Sequence, residues 1–137
     1  MTTRTVCGDG GRSSAVVAIL VGEPDAETIV EAMSEAPTRL ISAVTRVELS
    51  FVIEGRKGEL GRQDLDRLLA SGSFEIVSVT PHHADLAIEA FRRYGKGRHP
   101  AGLNIGDCFS YALSMASGRP LLFKGVDFAR TDVRTAM

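Results

Sequence analysis

The sequence predicts an α/β domain with a central, mostly parallel sheet. Short apolar segments alternate with longer amphipathic ones, glycine, proline and capping residues separate them, and no repeat, low-complexity tract or linker interrupts this order. With 137 residues, the chain has the length of a single domain spanning residues 1–137, enough for one core. Only the first dozen residues are atypical of this class.

Six helices are expected where apolar residues recur at helical spacing. Their expected ranges are 14–21, 25–36, 43–56, 61–70, 81–94 and 105–117. Capping and breaking residues define several ends, since Ser42 and Asn104 suit the position before a helix, and Gly58 and Gly118 suit its end. Pro81 opens the fifth helix because proline is tolerated in a first helical turn.

Three strands are expected from short apolar segments bounded by turn residues. They cover residues 39–42, 74–79 and 120–123. The N-terminal segment TRTVCGDGG has only Val6 and Cys7 as apolar residues and then breaks at glycines. It is therefore not expected to form a robust central strand.

Composition restricts the class of protein. Apolar residues make up 44% and charged residues 24% of the chain, and no apolar run approaches the roughly 18 residues that cross a bilayer, so a soluble cytoplasmic protein is expected. Cys7 and Cys108 form no C-x-x-C motif and are expected to be reduced, structural thiols. Because the net charge is −1, any site for a polyanion must be local.

Glu48 lies among apolar residues of the helix expected after Ser42. The residues that share its face are Val44, Val47, Phe51 and Val52. If this face packs on the core, a lone buried carboxylate would cost several kcal/mol, so something must compensate it. The alternatives are a metal ion, an arginine such as Arg46 or Arg56, and a rotation of the helix that leaves Glu48 at the rim.

Two aspartates, Asp107 and Asp127, lie in the segment RHPAGLNIGDCFSYALSMASGRPLLFKGVDF, residues 98–128. Asp107 comes three residues after Asn104, where an acid stabilises a helix start, so a capping role and a ligand role both remain open. Asp127 follows the apolar strand across a Lys-Gly turn, at a strand's carboxyl end, where ligands bind in open parallel sheets. A plain turn aspartate is the alternative there.

Taken together, these three acids favour a metal site. Acids at helix starts and strand ends of a parallel sheet can converge, and oxygen ligands suit Mg²⁺ or Mn²⁺. Such ions hydrolyse phosphodiesters by activating water and by stabilising the attacking and leaving oxygens. A nuclease is therefore expected, with Glu48, Asp107 and Asp127 as its metal-binding and catalytic residues.

Basic residues beside Asp107 are candidates for contacts with the backbone of a nucleic acid. Lys96, Arg98 and His99 precede it in one glycine-containing loop, with solvated surface charge as the alternative role. The segment GDGGRSS resembles a phosphate-binding turn, but neither G-x-x-x-x-G-K-[ST] nor G-x-G-x-x-G occurs. A nucleotide-binding enzyme or small-molecule phosphatase is therefore disfavoured.

The motifs SAVTRVE, GKGRHPAGLNIGDCFSYALS and PLLFKGVDF, in this order, resemble the PIN-domain ribonucleases, most closely the VapC toxins of bacterial toxin–antitoxin pairs. The similarity extends from about Ser13 to Val133. It implies a PIN-like α/β/α sandwich, Mg²⁺-dependent endoribonuclease activity on RNA, a cognate VapB-like antitoxin and a homodimer. Glu48, Asp107 and Asp127 match the family's metal-site acids, and the apolar face of the helices around residues 25–70 is then available to both protein partners.

The chain departs from this family at Arg12. The family's opening strand runs through an aspartate into a Ser/Thr-Ser-Ala sequence, and this aspartate is a principal metal ligand, whereas Arg12 precedes Ser13 and Ser14 here. In one outcome, Arg12 neutralises the acids and leaves a catalytically impaired module that still binds antitoxin or RNA. In another, the glycines let Asp9 reach the site. The remaining alternatives are an acid supplied from elsewhere and an N-terminus that is not the biologically relevant start.

Overall fold

Parallel strands and helices alternate in the structure, a computed structural model that describes residues 4–7, 15–22, 24, 27, 38–71, 74–122 and 131–133. The elements among these residues are β1 (Arg4–Cys7), α1 (Ala15–Val21), β2 (Thr38–Ser42), α2 (Ala43–Ser71), β3 (Phe74–Val77), α3 (Pro81–Tyr94), α4 (Ile105–Ser117) and β4 (Leu121–Leu122). No helix in the described ranges is long and apolar enough to cross a membrane.

The described strands form one parallel sheet in the order β3-β2-β1-β4. β1 is central, with Val6 paired to Leu40 on one side and to Leu121 on the other. The prediction that the N-terminal segment would not form a robust central strand is therefore wrong. Two apolar residues are enough here because Val6 and Cys7 are both fully buried on opposite faces, and neighbouring strands satisfy the backbone on both sides.

Helices cover both faces of this sheet. Because side chains alternate along a strand, Val6 and Leu40 belong to one core with residues of α3 and α4, whereas Cys7 and Ile41 belong to a second core with residues of α1 and α2. This arrangement confirms the predicted α/β/α sandwich with a parallel central sheet.

Helix α2 turns back on itself at Gly58, whose backbone is not helical (φ 63°, ψ −152°). Its two arms lie side by side, since Nη2 of Arg46 on the first arm is 2.7 Å from Oδ1 of Asp66 on the second. Gly61 allows this approach, because a Cβ atom there would lie 3.0 Å from Cγ2 of Ile53. The second arm thereby packs against the first arm, which carries the residues that follow Ser42.

The other expected elements are found in place and differ mainly at their ends. Helices α3 and α4 have the expected bounds, and the two arms of α2 cover the ranges expected for two separate helices. Strand β3 ends at Val77 because the chain leaves the sheet to reach Thr80, the N-cap of α3. The helix expected at 25–36 lies outside the described residues, apart from residue 27.

Candidate functional site

Asp107 lies in the first turn of α4, where a capping box fixes it. The side chain of Asn104 accepts a hydrogen bond from the Asp107 amide at 2.9 Å, and the Asn104 amide donates to Oδ2 of Asp107 at 3.0 Å. The carboxylate is buried, including its other oxygen, Oδ1. The capping role is therefore present, and it also holds the carboxylate in the fixed orientation that a metal ligand needs.

Glu48 reaches the same end of α4 from the first arm of α2. A Cβ atom at Gly106 would lie 2.6 Å from Cδ and 2.9 Å from Oε2 of Glu48, so this carboxylate occupies the space left by the missing side chain. Its Oε1 is sealed from solvent. Because Gly106 immediately precedes Asp107, the structure brings two of the three predicted site acids together.

Val47 and Phe51, two of the four apolar residues around Glu48, do not face the core, contrary to expectation, whereas Val52 packs against it. Val47 is 50% and Phe51 is 72% exposed, whereas Leu49 and Ile53 on the neighbouring face are fully buried. Glu48 itself is half-buried, as the alternative of a rotated helix expects, and this leaves the metal alternative open. Arg46, a candidate counter-charge, contacts Ser50 and Asp66.

A pair of buried hydroxyls lies next to the two acids. Oγ1 of Thr45 and Oγ of Ser110 are 3.1 Å apart, and both residues are fully buried between α2 and α4. Neither was recognised in the sequence, because a threonine or serine in a helix has no distinguishing pattern until its partner helix is known.

The donor set at the start of α4 fits a hard divalent cation. Two carboxylates approach this place, and Mg²⁺ and Mn²⁺ prefer such oxygen donors. Within the described part of the chain, no three His, Cys, Asp or Glu residues form a metal-binding group. Asp127, the third predicted ligand, lies outside the described residues, as do Arg12 and Asp9.

The loop between α3 and α4, which leads to the N-cap of α4, exposes two cations. Two backbone hydrogen bonds close the loop, Leu103 N–H to Tyr94 O and Lys96 N–H to Leu103 O, each at 2.9 Å. Lys96 and Arg98 are exposed, and the Arg98 guanidinium lies 5.1 Å from the ring centroid of Phe91. The loop ends at the N-cap of α4, so it carries these charges toward the Asp107 end of the helix.

His99 has a structural role in this loop. Its Nδ1 accepts a hydrogen bond from the Ala101 amide at 3.0 Å, and its ring meets that of Tyr94 edge-on at 5.2 Å. These contacts stabilise the turn that presents Lys96 and Arg98.

The C-terminal residues 131–133 are attached to α4 and α3 through Asp132. The Tyr111 hydroxyl donates to Oδ1 of Asp132 at 2.7 Å, and Nη1 of Arg93 lies 3.6 Å from its Oδ2. Burial, reinforced by Asp132, raises the pKa of Tyr111. Burial acts to raise the pKa of Asp132 too, but the Tyr111 hydrogen bond and the Arg93 charge outweigh it and lower that pKa.

Cys7 and Cys108 are free and buried, as predicted for structural thiols. Burial raises the pKa of Cys7 to about 12. Burial and the charge of Asp107 raise the pKa of Cys108 to about 11. Both therefore remain protonated near neutral pH and are poor nucleophiles.

The chain is similar to known proteins over most of its length. The profile of the PIN domain family matches residues 13–134. Ribonuclease VapC of Mycolicibacterium smegmatis is 54% identical over 121 residues, which cover 88% of this chain and 94% of the relative. Ribonuclease VapC30 of Mycobacterium tuberculosis is 50% identical over 123 residues, which cover 90% of this chain and 94% of the relative.

Solved structures share the fold at lower sequence identity. VapC20 of Mycobacterium tuberculosis, described as a Sarcin-Ricin loop cleaving toxin, matches with a TM-score of 0.75 at 16% identity and 96% coverage of both chains. A toxin–antitoxin complex from Klebsiella pneumoniae matches with a TM-score of 0.69 at 20% identity, covering 99% of this chain and 98% of that chain. At these identities, the two structures support the fold alone.

Proposed function

Because the chain belongs to the PIN domain family, among the VapC ribonucleases, we propose that it is the toxin of a toxin–antitoxin pair and cleaves RNA endonucleolytically with Mg²⁺. The observation that supports the metal-dependent chemistry most directly is the meeting of Glu48 and Asp107 at Gly106. Asp127 is proposed as the third metal-binding and catalytic acid. Mn²⁺ is the alternative ion, because it accepts the same oxygen donors.

The protein contributes positioning and charge to this reaction. Bound Mg²⁺ would supply an activated water molecule and stabilise the charge that develops on the phosphodiester. Glu48 and Asp107 would hold the ion, and the capping box keeps Asp107 oriented before the ion arrives. The positive end of the α4 dipole lies at the same place and favours the negative charge of a phosphate.

RNA is proposed to contact Lys96 and Arg98 through its phosphates. Both side chains are exposed on a loop closed by backbone hydrogen bonds, so their charges are presented without further ordering of the loop. The double variant Lys96→Ala/Arg98→Ala should bind RNA more weakly. The slope of log K against log salt should fall by roughly 0.7 for each phosphate of single-stranded RNA that the variant no longer neutralises. An unchanged slope in filter-binding titrations would mean that RNA phosphates do not contact Lys96 and Arg98.

A VapB-like antitoxin and a second copy of the chain are the proposed protein partners, in the cytoplasm. Val47, Phe51 and Leu60 on the two arms of α2 are at least half exposed, which supplies apolar area for such contacts. Light scattering of the purified chain, alone and with the product of a neighbouring antitoxin-like gene, tests both partners. A monomer that does not bind that product would contradict this part of the proposal.

Cleavage assays with matched acid variants test the enzyme itself. Asp107→Asn and Glu48→Gln should each lower Mg²⁺-dependent RNA cleavage about 100-fold or more, because each removes a charge from the metal site. Asp85→Asn, which alters an exposed acid of α3, is the control and should cleave like the wild type. Equal activity of all three variants would overturn the assignment of the site.

The role of Arg12 is tested by comparing the wild type with Arg12→Asp. Cleavage by the wild type at the rate of Arg12→Asp would mean that Asp9 or another acid completes the site. Cleavage by Arg12→Asp alone would contradict an active enzyme and support the alternative, a catalytically impaired module that binds antitoxin or RNA.

A further inference from the structure

Glu48 and Asp107 come from different helices, so the distance between their carboxylates depends on how α2 and α4 are held together. Thr45 lies three residues before Glu48 on α2, and Ser110 lies three residues after Asp107 on α4. Residues three apart lie on the same side of a helix. The hydroxyl contact between Thr45 and Ser110 is therefore about one helical turn from each acid.

This contact is well suited to fix the spacing of the two helices. Both residues are fully buried, and their oxygens are 3.1 Å apart, so separating or sliding the helices would break a hydrogen bond between two hydroxyls that are shielded from water. Gly106 adds a steric limit on the same interface, because the Glu48 carboxylate fills the space beside it. A hydrogen bond and a steric contact thus act within one turn of each other.

We propose that Thr45 and Ser110 are a positioning pair that sets the separation of Glu48 and Asp107 and thereby the affinity of the site for a divalent ion. This inference rests on the proposed metal site. Groups that orient metal ligands without touching the metal commonly change affinity by 10- to 100-fold when they are removed. The pair would act through the helix spacing, and neither hydroxyl is proposed to touch the ion or the RNA.

The experiment measures Mn²⁺ binding by calorimetry for the whole chain carrying Thr45→Val or Ser110→Ala. Each variant should raise the Kd for Mn²⁺ about tenfold and lower kcat with little change in KM. Thr45→Ser restores the hydroxyl and should bring the Kd back to within about twofold of the wild-type value. The double variant Thr45→Val/Ser110→Ala should bind Mn²⁺ no more weakly than the single variant with the higher Kd. The effects of the two substitutions are not additive, because both remove the same hydrogen bond.

Ser114→Ala is the matched control, since Ser114 is also a buried serine of α4 but donates to the Arg119 carbonyl at 2.6 Å. It should lower the melting temperature of the metal-free protein and leave the Kd for Mn²⁺ unchanged. Wild-type affinity in folded Thr45→Val, or an equal loss in Ser114→Ala, would overturn the positioning role. If Glu48→Gln binds Mn²⁺ like the wild type, the metal site itself is wrong, and the inference is overturned with it.

Discussion

Helix α4 contacts its two neighbouring helices through surfaces of opposite character. Toward α2 it places Gly106 against a carboxylate and Ser110 against a hydroxyl. Toward α3 it contributes apolar side chains, including Cys108 and Phe109, to an open groove of about 490 Å³ whose lining is almost entirely apolar. The same helix thus buries polar groups on the side where chemistry is proposed and apolar area on the side that stabilises the fold, a division expected at functional sites.

Gly106→Ala should have the largest effect, and it should act on the α2 side alone. The new Cβ would lie 2.6 Å from Cδ of Glu48, so the carboxylate must leave its place. RNA cleavage should fall about 100-fold or more, and Mn²⁺ affinity should fall with it. Cleavage assays measure the first effect, and calorimetry with Mn²⁺ measures the second.

Gly55→Ala provides the control for this prediction. Gly55 lies within the first arm of α2, and a Cβ atom there meets nothing within 4 Å. It should therefore stabilise the helix by roughly 0.5–1 kcal/mol and leave cleavage unchanged. If Gly106→Ala were as active as Gly55→Ala, Glu48 would have no role in the proposed site.

Leu113→Ala should produce the opposite pattern on the core side of α4. Leu113 is buried in the cluster that also contains residues of α3 and the sheet, so its truncation should lower the free energy of unfolding by about 2–5 kcal/mol. Mn²⁺ affinity at temperatures where the variant remains folded should match that of the wild type. Urea unfolding and calorimetry on the same preparation test whether stability and Mn²⁺ affinity change independently. A parallel loss of metal affinity would show that the two sides of α4 are coupled.

The fold could be predicted from the sequence further than the site could. The helices around Pro81 and Asn104 were predicted with correct bounds, because caps and breakers are local signals. Strand β1 was misjudged because its central position depends on pairing with β2 and β4, which its own four residues do not encode.

Less of the candidate site could be predicted, for a related reason. The candidate acids were chosen by residue type and placement, but the core-facing side of α2 was misjudged, because α2 packs through Leu49 and Ile53 rather than through Val47 and Phe51. Both faces carry apolar residues, so periodicity alone does not choose between them. The buried hydroxyl pair depends on the contact of two helices distant in sequence and had no local signal at all.

Tyr111→Phe should have a moderate effect that depends on pH. It removes the hydrogen bond to Asp132, which should lower the free energy of unfolding by about 1 kcal/mol or less near pH 7, since Asp132 is partly exposed. Because the folded-state pKa of Asp132 is lowered, its contribution to stability is present above its unfolded pKa of roughly 3.9 and is lost as the pH falls through the folded value. The difference between wild type and variant should therefore shrink below about pH 4 in denaturant titrations. A difference that stayed constant with pH would mean that the carboxylate does not contribute.

The smallest expected effect concerns the rates at which the two thiols react. Both are buried, but Cys108 lines the open α3–α4 groove, whereas Cys7 belongs to the central strand. Burial raises the pKa of Cys7 to about 12 and that of Cys108 only to about 11. Alkylation of the native protein, measured for each cysteine-containing peptide by mass spectrometry, should be slow at both sites and faster at Cys108. Exposing a thiol that lines an open groove requires less unfolding than exposing a residue of a central strand. In denaturant, the two rates should become equal. Faster native labelling of Cys7 would show that β1 opens before the α3–α4 groove, and would contradict the expected order of opening.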